Sequence, residues 1–169
     1  MIDTLANSID GVRAATIVAV LAVAVATDVV WRRIPNLLTG SAIAAGLLVN
    51  VLAGGMEGLV RSVAGFALGA VILLGPVAVR WWGAGDLKLL AALGAIGGPV
   101  FIGWAGLFAL AAGGVIGVAV LLARRQAVPV LSGMAVDLYA ARAPRAASGI
   151  HLPYAVPIAI GAVLALVVR

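Results

Sequence analysis

Apolar residues in this chain come in long unbroken runs rather than at the spacing of a one-sided helix. No charge interrupts residues 14–27, 37–56, 62–79, 89–123 or 152–168. A helix needs about 20 apolar residues to cross a bilayer. The pattern predicts six hydrophobic helices, at 12–31, 37–53, 59–81, 87–98, 100–122 and 152–168. The fourth is short, because Gly97, Gly98 and Pro99 interrupt the long run of 89–123, and such residues punctuate helices. A single tilted span followed by a re-entrant piece is the alternative over 87–122. The expected fold is all-α, a polytopic membrane protein with a bundle of six transmembrane helices in a single domain, 1–169.

Composition names the solvent. The chain is 64% hydrophobic and 10% charged, where soluble domains carry about 25% charged residues. A soluble fold has no place for so much uninterrupted apolar surface. The first thirteen residues hold Asp3, Asp10 and Arg13 and lack the basic opening of a cleaved signal peptide. The first apolar run is therefore expected to stay as a helix. Small residues recur at helix-packing spacing, as at Gly65/Gly69 and Gly113/Gly117, and allow helices to approach closely.

The net charge of +5 does not point to nucleic acid, because the basic residues lie between apolar runs, where they report topology. With the N-terminus outside, Arg32, Arg33, Arg80, Lys88, Arg124, Arg125, Arg142 and Arg145 share one side. Arg13, Arg61 and Arg169 share the other. The richer side is expected in the cytoplasm of a cell whose plasma (inner) membrane the chain crosses many times. The connection 124–150 is then cytoplasmic, and its stretch Val128–Tyr139 is read as a short interfacial helix.

The chain has no cysteine, which excludes disulfides, a thiol nucleophile and thiolate metal sites. Its one histidine, His151, cannot build a zinc site of the usual kind. No metal and no cofactor is expected. The acidic residues are Asp3, Asp10, Asp28, Glu57, Asp86 and Asp137. Asp28 and Asp86 stand apart, each at the end of an apolar segment. Asp28 lies about one turn inside its helix, ahead of Val29, Val30 and Trp31. Asp86 lies in Gly83-Ala84-Gly85-Asp86-Leu87-Lys88. Trp31, Trp81 and Trp82 flank the two, and tryptophan favours the headgroup level, so both belong at similar depth. Ionisable groups in a membrane are costly and mark function. Two carboxylates in one poorly solvated site share a proton, so one can activate water while the other donates. Gly83 and Gly85 leave room for an extended substrate and for dihedrals that other residues avoid. The plainer alternative pairs Asp28 with Arg32 or Arg33, and Asp86 with Lys88, as interfacial ion pairs.

Three segments resemble the type IV prepilin peptidases. Asp28-Val-Val-Trp-Arg-Arg-Ile-Pro-Asn36 is similar to their first motif. Gly83-Ala-Gly-Asp86-Leu-Lys88, running on to Gly94, is similar to their GxGD signature. Leu152-Pro-Tyr-Ala-Val-Pro-Ile-Ala-Ile-Gly161 resembles the segment that opens their last helix. The resemblance spans nearly the whole chain except 124–150. It implies a membrane-embedded aspartic endopeptidase with Asp28 and Asp86 as the catalytic pair. Such an enzyme removes the basic leader of prepilins or pseudopilins at the cytoplasmic face, next to the substrate's transmembrane helix. It implies the short form associated with Flp-type tight-adherence pili, without the N-methyltransferase domain of longer members. A homo-oligomer is left open.

Other residues have plainer readings. Lys88 either tunes the aspartates or holds substrate backbone, or it snorkels at the interface. Arg32 and Arg33 anchor topology. Pro35 and Asn36 end one helix and start the next. His151 is an interface residue, Pro153 suits a first helical turn, and Tyr154 lines the cleft or packs in the core. Two rival functions use the same acids. A proton- or cation-coupled carrier would favour a midplane site and repeated halves, and neither is visible. A non-catalytic pilus-assembly subunit would need neither acid.

Overall fold

The computed structural model describes residues 2–78, 83–123, 125, 132–133, 139 and 154–168, with side chains from Ser8 onward. Arg80, Trp81, Trp82, Arg124, Asp137, Arg142, Arg145, His151, Pro153 and Arg169 lie outside them, as does nearly all of Val128–Tyr139. Among the described residues the fold is all-α. There are four helices, α1 (Ile2–Trp31), α2 (Asn36–Ala78), α3 (Ala84–Ala123) and α4 (Ala155–Val168). The first three are long and apolar enough to cross a membrane.

Four helices rather than six is a difference from the sequence expectation, and its cause is local. A straight helix as long as α2, with 43 residues, would measure about 65 Å. That is twice the roughly 30 Å thickness of the hydrocarbon core. Instead α2 leaves helical geometry at Gly54 and Gly55, and α3 leaves it at Gly98. Gly55 and Gly98 have φ of 55° and 82°, which glycine adopts without steric penalty. The breaks fall where the sequence segments were divided, and both reverse the chain. A Cβ on Gly58 would collide with the backbone of Asn50, and one on Gly94 would meet the side chain of Ile102. In a straight helix such pairs stand about 12 Å apart. The helical limits also differ. α1 starts ten residues before the apolar run, and α3 starts at Ala84 rather than 87.

The core follows from these reversals. The first arm of α3 is about 20 Å long, too short to span alone. It is also the innermost element, with every residue from Leu89 to Gly98 buried. A helix apolar on all sides is a core helix. A short arm is tolerated at membrane depth because protein, not lipid, surrounds it. α2 packs along α3, α4 packs on α3, and α1 lies against all three along narrower strips. Glycines set the closest approach. The backbones of Gly65 and Gly94 touch, and a Cβ on Gly69 would stand 2.6 Å from the Leu90 carbonyl. Gly117 faces open space, so of the two expected glycine pairs only Gly65/Gly69 has both members in a helix contact.

The far end of that short arm is sealed by side chains. A helix leaves its last carbonyls without partners. Here Asn50 Nδ2 donates to Ala95 O at 2.9 Å and Ile96 O at 3.1 Å. Ser62 Oγ donates to Ala95 O at 2.6 Å, and Arg61 Nη2 to Gly97 O at 3.2 Å. Asn50 Oδ1 accepts from Arg13 Nε at 3.0 Å and Nη2 at 2.7 Å. Arg13 Nη1 reaches Asp10 Oδ1 at 2.8 Å. Arg13 and Arg61, read from the sequence as markers of topology, therefore also hold the bundle together.

Candidate active site

At the opposite end, the chain brings Asp28 and Asp86 into one cleft of about 600 Å³. Both are buried, at 8% and 7% exposure, and they lie close enough for the charge of Asp28 to act on Asp86. Asp28 occupies the last turn of α1, where the helix dipole disfavours a negative charge. A second helix offsets this. Ala155 N, at the first turn of α4, donates to Asp28 Oδ2 at 3.1 Å. Tyr154 caps α4 through its carbonyl, which accepts from Ile158 N at 3.3 Å. Pro157 adds no loss there, because first-turn N–H groups have no intrahelical partner.

Asp86 is held by its own helix. Its Oδ2 accepts from Gly83 N at 2.9 Å, and its own N–H donates to Gly83 O at 3.1 Å. The carboxylate reaching back to the N-cap N–H is one half of a capping box, glycine having no side chain to return the other bond, and it explains why α3 starts ahead of its apolar run. A carboxylate in the first turn also faces the positive end of the dipole. Each acid thus has one oxygen, Oδ2, fixed by a backbone N–H. No hydrogen bond among the described residues occupies either Oδ1.

The ion-pair alternative does not form. Neither aspartate is in a salt bridge among the described residues. Arg32 and Arg33 line the same cleft without pairing to the acids. Lys88 Nζ donates instead to Asn36 Oδ1 at 2.9 Å, tying the start of α3 to the start of α2. Arg32 ends α1 in a left-handed conformation with φ of 51°, and Pro35 O then caps α2 by accepting from Leu38 N at 3.1 Å.

The glycines differ from expectation in their reason. Neither Gly83 nor Gly85 has a positive φ, so unusual dihedrals do not require them. A Cβ on Gly83 would stand 3.1 Å from Asp86 Oδ2, whereas one on Gly85 would make ordinary contact with Ile34 at 3.5 Å. Close approach therefore favours glycine at 83 and leaves 85 with room. Tyr154 is half-buried and near enough to Asp86 to feel its charge. Sequence reasoning missed the Ala155 N–H, Asn36 as the partner of Lys88, and the whole Asn50 cluster. The Pro-Tyr segment was the one signal that pointed toward the first of these.

A stretch carrying both aspartates, residues 15–122, matches the type IV leader peptidase family. The chain belongs to that family. Membership makes it a peptidase, and its long apolar helices make it a membrane protein. The matched stretch ends before α4, so the family match does not include the helix that donates to Asp28. No curated protein and no solved structure gives a significant match. Among the described residues no cluster of acids or histidine is suited to hold a metal ion.

Proposed function

We propose that this leader peptidase is an aspartic endopeptidase that cuts the basic leader from prepilin-like substrates at the cytoplasmic face of the inner membrane. The observation that carries the reading is the shared cleft, in which two buried carboxylates each have Oδ2 fixed by a backbone N–H and, among the described residues, no hydrogen bond to Oδ1. With one carboxyl ionised and the other protonated, the ionised group takes a proton from water as the oxygen attacks the scissile carbonyl. The protonated group donates to the carbonyl oxygen. Collapse of the tetrahedral species breaks the C–N bond, and a proton passes to the leaving amine. Gly83 and Gly85 give an extended substrate access, and Lys88 shapes the cleft's rim through Asn36. In this proposal the arms of α2 and α3, with α1 and α4, form six membrane-embedded segments. The tertiary roles of Arg13 and Arg61 support the orientation, since they account for basic charge on the outer side.

The test is cleavage of a co-reconstituted Flp-type prepilin by wild type, Asp28→Asn and Asp86→Asn, with folding measured separately. Asparagine keeps an acceptor for Gly83 N or Ala155 N, so both variants should fold. Loss of leader removal in both is expected. A folded single variant that cuts at the wild-type rate would sink the two-aspartate mechanism. A wild type that cuts no prepilin yet moves protons or cations through the same acids would instead support the carrier.

A further inference from the structure

The element that carries Asp28 is the one with the narrowest packing. One buried stripe runs along α1 through Arg13, Ile17, Val20, Leu21, Ala24, Thr27 and Asp28. Its middle is made of small and aliphatic side chains. In lipid no hydrophobic force distinguishes one axial setting of such a stripe from its neighbour. A slip of one residue moves a helix 1.5 Å and turns it by about 100°. Polar groups must therefore choose the setting, and they stand at the two ends. At one end Asp28 meets Ala155 N. At the other, two guanidinium N–H groups of Arg13 converge on Asn50 Oδ1.

Asn50 is fully buried and is itself fixed, with Nδ2 shared among the carbonyls of Gly46, Ala95 and Ile96. Ala95 and Ile96 end the same arm of α3 that begins at Asp86. Two rods are thus pinned at a common point, and each carries one aspartate at its far end. We propose that Arg13, through Asn50, is a positioning residue that sets the depth and rotation of α1 and so places Asp28 opposite Asp86. Buried polar residues that specify register are the best-attested use of such groups. Misplacing a catalytic group by about 1 Å can cost roughly 100-fold in rate.

This inference rests on the peptidase reading for its kinetic consequence, but its geometric consequence is independent. The chain has no cysteine, so spin labels on cysteines introduced at the exposed positions Val23 and Val115 report the placement of α1 against α3. Arg13→Met is expected to shift or broaden that distance by a few ångströms, on the scale of the helical rise. It should lower kcat by about tenfold to 100-fold with KM within about twofold, the split expected when orientation and not binding is lost. Arg13→Lys, which keeps charge and one donor, should recover part of both. Thr16→Val, whose hydroxyl only bonds back to Val12 O on the exposed side, should change neither. An unchanged label distance in Arg13→Met, or full kcat in a folded Arg13→Met, overturns the proposal. If Arg13→Met fails to insert, an Arg13→Lys indistinguishable from wild type in both readouts overturns it equally. If wild type cuts no prepilin, the peptidase reading falls while the label distance still decides the clamp.

Discussion

The two ends of this bundle face the same problem and resolve it differently. Around Gly98, Asn50, Ser62 and Arg61 meet the last carbonyls of a buried arm, and Arg13 in turn bonds Asn50. At the cleft, Asp28 and Asp86 are also buried but take one backbone N–H each. Of the cations lining the same cleft, Lys88 is bonded to Asn36, and Arg32 and Arg33 form no salt bridge to either acid. Polar groups in lipid are expensive at either end. Where every donor and acceptor is used, the cluster fastens helices. Where capacity is left over beside open volume, the cluster can bind and react.

The sharpest way to break this contrast is to neutralise the open end. Asp28→Asn or Asp86→Asn should lower leader cleavage by at least about 100-fold. The double variant should be no worse than either single one, because the two act as a unit. Thermal unfolding in detergent should shift little. The closed end should behave in the opposite sense. Asn50→Leu takes the acceptor from two N–H groups of Arg13 and the side-chain donor from Ile96 O, and should destabilise the fold by about 1–3 kcal/mol, read as a lowered Tm. Ser62→Ala removes one bond of the same cluster and should cost about 0.6–1.7 kcal/mol.

Smaller effects refine the cleft itself. Gly83→Ala should slow cleavage several-fold by crowding Asp86 Oδ2, while Gly85→Ala, whose Cβ would make only ordinary contact with Ile34, should act through narrowed substrate access alone and raise KM more than it lowers kcat. Kinetics of the pair therefore separates crowding of the acid from blocking of substrate. The weakest expected change is in stability on Lys88→Met. The Lys88–Asn36 bond is exposed, and losing it should move unfolding by no more than about 0.5 kcal/mol. A larger loss would mean that the rim, like the far end, is a fastening.

Much of this was legible in residue order. The charge-free runs located the apolar segments, and the glycines between them located the breaks, where α2 and α3 leave helical geometry. The positions of Asp28 and Asp86 at segment ends singled them out before any contact was known. Harder to read were the helix limits. No charge-free apolar run extends α1 back to Ile2, and α3 begins early because Asp86 caps its own helix. The reading of Arg13 and Arg61 by charge alone was incomplete. Positive charge near a segment end serves topology or tertiary bonding equally well, and composition does not tell them apart.

What the sequence by itself determined is scalar and local. It decided that lipid is the solvent, how long each apolar stretch is, and which few ionisable groups lie at its edges, because transfer energies add residue by residue. Only the tertiary structure decided direction and partnership. It placed Asp28 and Asp86 in one cleft, brought Ala155 N to Asp28 across 127 residues, sent Lys88 to Asn36, and joined Arg13 to the arm that carries Asp86 in its first turn. The physical reason lies in the solvent. In water a buried face is more apolar than an exposed one, and the pattern shows which way a helix looks. In a bilayer both faces are apolar, so facing is set by glycine contacts and a few polar bonds that exist only once the helices have packed.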